Sequence, residues 1–202
     1  MVAWRGGPAG PARQTLASMR RGSFLILSMA VLSFSRTAAA GPVEVGVETV
    51  QDNTSLVTLK TDMDAAQESV WELLTDYDHH ARFLPYITRS RVTAREDERQ
   101  VVEQEGRIQI LFWSYTMRVT QRVWEDSPRH MHFTAIEGDF DVLQGDFYLS
   151  VPTVLELKTR LVCEFIVKPK RRVPDWAVRM AAKHYLKKMV AVIAEKAERS
   201  RR

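Results

Sequence analysis

The stretch Val70–Val92, VWELLTDYDHHARFLPYITRSRV, sets the tightest limit on what this chain can fold into. It reads as two short helices back to back that run directly into a strand. Asp64 is placed to cap the first helix, with Gln67 three residues on as its reciprocal partner. Ala66, Val70 and Leu74 then recur on one helical face, with Trp71 beside them. Asp76 is placed to cap a second, shorter helix that buries Tyr77, Ala81 and Leu84. Pro85 ends it, because proline drives the residue before it out of helical geometry. The order of elements after this kink points to a ligand cavity rather than to a catalytic constellation.

From Val43 to Lys168 the rest of the pattern is mainly strand. In Trp113–Trp124, Trp113, Tyr115, Met117, Val119 and Val123 share one face, and Ser114, Thr116, Arg118, Thr120 and Arg122 share the other. That alternation marks a strand with one face in an apolar interior and one in water. Met131, Phe133 and Ala135 repeat it after a turn at Asp126–Pro128. Phe147, Leu149 and Val151 follow, then Leu161, Cys163, Phe165 and Val167. Short connections make these strands an antiparallel meander, and an earlier strand near Ser55–Thr61 precedes the helices. Gly138 and Gly145 interrupt strand-like sequence, which predicts a bulge, a sharp bend or, at Gly138–Asp139, a hairpin turn.

Pro174 suits the first turn of a final long helix. Val178, Ala182, Tyr185, Met189 and Ile193 recur at helical spacing, Leu186 and Val190 widen the stripe, and Trp176 and Met180 add an N-terminal apolar pair. The other side is basic. Lys168, Lys170, Arg171 and Arg172 lead into Arg179, Lys183, Lys187 and Lys188, with Asp175 the one opposing charge. This run weighs heavily in a net charge of +4. It reads either as a solvated face or as a contact for anionic lipid head groups through Lys170, Arg171, Arg172, Arg179 and Lys183.

These residues carry a resemblance. Val70–Tyr77, Phe83–Leu84–Pro85, Ser90–Arg91–Val92, Glu137–Phe140, Gly145 and Pro174–Asp175–Trp176 are similar to the coenzyme Q-binding START-type and polyketide-cyclase-like families of the Bet v 1-like superfamily. The resemblance spans roughly residues 50 to 198. It implies an α+β helix-grip fold: a curved antiparallel sheet around a long C-terminal helix, with two short helices after the first strand. It also implies a cavity between helix and sheet for a lipid, isoprenoid or quinone. Trp113, Tyr115, Met117, Phe133, Phe147, Phe165, Met180, Tyr185 and Met189 are the expected lining. The family pattern is diffuse and identifies a fold better than a ligand.

The ends of the chain add a location. Arg20–Arg21 precede the apolar run Phe24–Leu32, and Ala38–Ala39–Ala40 supply a small-residue cleavage site. That is the layout of a secretory signal peptide over residues 1–40, with Met19 as an alternative start. The expectation is export, to a bacterial periplasm, of a single domain over residues 41–202. Cys163 is the one cysteine in the chain, so no internal disulfide forms, and its alternation with Leu161 and Phe165 predicts burial.

Candidates for chemistry are few. No nucleophile elbow, phosphate-cradling loop or dinucleotide fingerprint occurs, and no nucleic-acid-binding module is recognisable. His130 and His132 share a strand face opposite Met131 and Phe133, hence outward, and no third metal ligand lies at local spacing. His79 and His80 read as part of a solvated, capped helix surface. Glu103, Glu105 and Asp139 are the acids that a cyclase or aromatase of this family would need to turn inward; otherwise they are partners for Arg107, Arg118 or Arg122. No cofactor and no metal are expected, and the expected partner is a hydrophobic small molecule or lipid.

Overall fold

The computed structural model describes residues 41–96, 99–110, 112–152 and 158–200. The signal read over residues 1–40 lies outside them. Eight strands alternate along the chain with three helical stretches: β1 (Glu44–Gln51), β2 (Thr54–Met63), α1 (Gln67–Thr75), a 3-10 turn (Tyr77–His79) leading into α2 (His80–Phe83), β3 (Ile87–Glu96), β4 (Arg99–Ile110), β5 (Trp113–Asp126), β6 (His130–Gly138), β7 (Phe140–Ser150), β8 (Thr159–Pro169) and α3 (Asp175–Arg199). The strands form one antiparallel sheet in the order β1-β2-β8-β7-β6-β5-β4-β3. The sheet curves around α3, the helix-grip architecture. Among the described residues no helix is long and apolar enough to cross a membrane.

Strand parity decides what faces α3. Val57, Leu59 and Met63 of β2, Leu161 and Cys163 of β8, Phe133 of β6 and Val123 of β5 all point to the concave side and are buried. Val70, Trp71 and Leu74 of α1 close one end of this core. Met189, Val190, Ile193, Ala194 and Ala197 anchor the C-terminal half of α3 in it. A second cluster, Val47, Val57 and Val167, receives Val178, Ala182 and Leu186 from the N-terminal half. Trp176, read as half of an N-terminal apolar pair with Met180, is 52% exposed instead: it lies in the first turn of α3, and Ala177 and Val178 are the first residues of the helix to pack inward.

The helix starts differ from the sequence expectation. No side chain caps α1; its N-cap is Ala66, and the Gln67 carboxamide donates instead to the Pro128 and Leu149 carbonyls at 3.0 and 3.2 Å. His80, not Ala81, is the residue that α2 buries. The 3-10 turn is the cause: residues three apart eclipse in it, so burial of Tyr77 carries His80 inward as well. The linker between β8 and α3 is held by Asn53, at the β1–β2 turn. Its amide nitrogen donates to the carbonyls of Pro169 (2.6 Å) and Arg171 (3.2 Å), and its oxygen accepts from the Val173 N–H (3.0 Å). Asn53 adopts φ 57°, a left-handed conformation that asparagine tolerates.

Both glycines flagged in the sequence have structural work. Gly138 ends β6 at φ +123°, beside a bulge, and Asp139 caps the turn by accepting the Arg118 N–H at 2.7 Å. Gly145 is a close approach: a Cβ there would lie 2.3 Å from the Phe165 Cβ and from the Glu164 carbonyl oxygen. Both obstacles belong to the backbone or its first side-chain atom, so neither can swing away. Gly145→Ala is therefore expected to lower stability by about 2 kcal/mol or more, read as a lower midpoint in chemical denaturation.

Candidate functional site

The concave face is sealed at one end and open at the other. Along β5 the inward row is Glu125, Val123, Gln121, Val119, Met117, Tyr115 and Trp113, in continuous register with β4. Val123 is 0% exposed, Gln121, Val119 and Met117 are half-buried, Tyr115 is 46% exposed and Trp113 60%. One unbroken strand face thus passes from solid core into an uncovered apolar floor. Ile108 and Gly106 of β4 pair with Tyr115 and Met117 and continue that floor. Tyr185 of α3 stands at its edge: its hydroxyl accepts the Gln109 N–H at 2.6 Å, and its ring meets Tyr86 edge-on at 5.3 Å.

The nine expected lining residues divide accordingly. Phe133 and Met189 are buried in the core, and Phe147 and Phe165 pack against Phe133 with ring centroids 5.8 and 6.2 Å away. Met117, Met180 and Tyr185 are half-buried. Trp113 and Tyr115 were expected in an apolar interior and are exposed, because the β4–β5 hairpin outruns the cover that α3 provides.

Polar groups on the inward face escaped the sequence reading. The Tyr77 hydroxyl donates to Glu125 Oε1 at 2.9 Å, and Gln100 Nε2 donates to the same oxygen at 3.0 Å. Burial pushes the Glu125 carboxyl up, partly offset by the tyrosine hydrogen bond, and burial also pushes the Tyr77 phenol up. Nearer the open end, Gln104 Nε2 donates to His80 Nδ1 (3.0 Å) and to Ser90 Oγ (3.1 Å), and Gln121 Nε2 reaches Gln104 Oε1 at 3.4 Å. His80 Nε2 lies 3.2 Å from the Leu73 carbonyl oxygen. Burial holds the imidazole below its ordinary pKa. The signal was there in the sequence: Gln100, Gln104, Gln121 and Glu125 occupy the same strand parity as Val102 and Val123, a parity that otherwise carries apolar residues.

The acids proposed for catalysis face away. Glu103 pairs with Arg91 at 2.6 Å and Glu105 with Arg118 at 3.0 Å, both on the convex side, and Asp139 is committed to the turn. His130 and His132 do point outward. Both meet Asp146 Oδ1, at 2.7 and 2.9 Å, with Tyr148 stacked on His130. Burial pushes the Asp146 carboxyl up, but the two histidine hydrogen bonds outweigh it and the net shift is downward. Among the described residues no group of three or more His, Cys, Asp or Glu side chains is arranged to hold a metal ion. On the basic side, Lys170, Arg171, Arg172, Arg179 and Lys183 are exposed. Arg172 pairs with Asp52 at 3.1 Å and Arg179 donates to the Val47 carbonyl at 2.7 Å, whereas Asp175 accepts from the Thr49 hydroxyl.

With this geometry the comparisons agree. The family model described as polyketide cyclase / dehydrase and lipid transport matches residues 63–193. That span is well over half of the chain, and the chain belongs to this family. Among solved structures, the Zhui aromatase/cyclase from Streptomyces sp. R1128 superposes with a TM-score of 0.63 at 18% identity, over 74% of this chain and 96% of that one. A START superfamily protein from Mycobacterium smegmatis gives 0.61 at 17% identity, over 71% and 97%. A STAR-related lipid transfer protein from Xanthomonas axonopodis gives 0.53 at 11% identity, over 78% and 99%. At these identities the likeness is one of fold. A comparison with curated protein sequences returns no match.

The buried imidazole generates a pH dependence. The folded state refuses a proton that the unfolded chain accepts below about pH 6.5, so His80 lowers stability as pH falls from there towards its depressed folded pKa. The slope for one proton is at most ~1.4 kcal/mol per pH unit. Denaturation midpoints measured from pH 8 to pH 5 are expected to fall more steeply for the parent chain than for His80→Gln.

Proposed function

We propose that this chain is an exported binding protein for a hydrophobic guest, a lipid, isoprenoid or quinone, held between the sheet and α3. The observation that carries the reading is the exposure gradient along the inward row of β5. An apolar strand face is left uncovered on the side that the rest of the fold uses as its core. Covering about 300 Å² of such surface would contribute roughly 7 kcal/mol before the costs of association. Trp113, Tyr115 and Met117 form the entrance and floor, with Tyr185 and Met180 on the helix side. The sequence resemblance favours a quinone among these guests. The basic N-terminal region and apolar run of residues 1–40 support export to the periplasm.

Collection from a membrane fits the surface around the helix start. Trp176 and Val50, 52% and 56% exposed, flank the bonded pair Asp175 and Thr49. Lys170 and Arg171 stand nearby without an ion-pair partner among the described residues. Tryptophan with cations is a combination suited to an anionic lipid interface.

A second reading, a cyclase or aromatase working in the same space, draws on Glu125, an acid that does face the concave side. Its carboxylate is already engaged by Tyr77 and Gln100, which favours the binding reading.

Native mass spectrometry of protein purified from its own host is expected to show a co-purifying apolar mass released by organic solvent. Protein that stays empty when expressed there would overturn the binding reading. Co-sedimentation with liposomes is expected to be several-fold stronger on anionic than on neutral vesicles, and to weaken in a Lys170→Glu/Arg171→Glu variant. Equal binding to both vesicle types would sink the membrane reading alone.

A further inference from the structure

We propose that Gln121 is the head-group residue of the cleft and that it selects guests whose polar end is an uncharged carbonyl or hydroxyl oxygen. The inference rests on the binding reading above and names the chemistry of its guest.

Gln121 sits at the boundary between sealed core and open floor. Its neighbours in the row and across the strand pair, Val123 and Val102, are both 0% exposed, while Val119 and Met117 beyond it are half-buried. Gln121 itself is half-buried, so a guest seated on the floor would remove the water its carboxamide still reaches, and its polar atoms would then need partners. Among the described residues it has one, Gln104 Oε1, at 3.4 Å. That is a long hydrogen bond. It leaves the Gln121 oxygen and its second N–H for a guest.

The groups behind it are fixed. Gln104 uses its amide nitrogen on His80 Nδ1 and Ser90 Oγ, so its oxygen must face Gln121. His80 donates from Nε2 to the Leu73 carbonyl, so Nδ1 is the acceptor that Gln104 requires. Protonation of that ring would set N–H against N–H and break the chain of bonds. Burial opposes the same protonation. The four side chains therefore present dipoles and no net charge.

Three guest types are separated by this arrangement. A hydroxyl or carbonyl meets the free donor and acceptor of Gln121, while its tail follows Val119, Met117 and Tyr115, a run of about 20 Å from Gln121. A carboxylate or phosphate would shed water with no cation among the relay to receive it. A pure hydrocarbon would leave the Gln121 groups dehydrated and unpaired.

The test uses the full chain carrying the neutral fluorophore N-phenyl-1-naphthylamine, displaced in turn by 2-hexadecanone, 1-hexadecanol, palmitate and hexadecane. The ketone and alcohol are expected to displace it at concentrations about five- to tenfold lower than palmitate or hexadecane. Gln121→Leu should abolish the preference, with ketone, alcohol and hexadecane displacing at similar concentrations and hexadecane at a lower one than from the parent chain. Gln121→Met provides the same deletion of hydrogen bonding should the leucine variant fail to fold. A leucine or methionine variant that keeps the preference overturns the inference, as does palmitate displacing best from the parent chain; in either case binding itself stands. No fluorophore uptake by the parent chain, with no change in its intrinsic tryptophan fluorescence on adding any of the four compounds, overturns the binding reading and this inference together.

Discussion

The anchoring of one half of α3 governs everything else in this molecule. Val190, Ile193, Ala194 and Ala197 are buried against α1 and the inner sheet, while Val178, Ala182 and Leu186 rest on the β1, β2 and β8 side. The helix is thereby fixed along one flank and at one end. Towards the β4–β5 hairpin, among the described residues, Tyr185 reaches Gln109 and Tyr86. An apolar floor without a matching cover on that side follows from the way the core is distributed. Filling it with the protein's own side chains would have needed a second helix or a longer loop over β5.

Much of the architecture was legible because its signals are periodic. Period-two alternation in Trp113–Trp124 and Leu161–Val167 gives strands whose faces the structure keeps, Cys163 included. The three-to-four spacing from Val178 to Ile193 gives the helix. Pro85 marks the end of α2, which stops at Phe83. What periodicity does not supply is extent. It cannot say where one element ceases to cover another, so Trp113 and Tyr115 read as interior and Trp176 as part of an apolar pair with Met180. Nor can an α-helical wheel describe a 3-10 turn, which is why His80 was placed on the surface and Ala81 inside.

The polar side of the site was missed for a different reason. Glutamines on a strand look like solvent-facing residues one at a time. Their meaning appears on pairing β4 with β5, which sets Gln104 beside Val119 and Gln121 beside Val102 on one face. The reverse error concerns Glu103, Glu105 and Asp139. They are conspicuous acids, yet an ion pair with arginine or a turn cap accounts for each. Residue type drew attention to the convex side, and parity directs it to the concave one.

Asn53 has a wider reach than its place in a surface turn implies. Three backbone groups of the segment that launches α3 end on its carboxamide. The segment that leads into the helix is thus held by a hairpin more than a hundred residues upstream in the chain. The seating of α3 thus depends on the turn between the first two strands as well as on the core that the helix packs against.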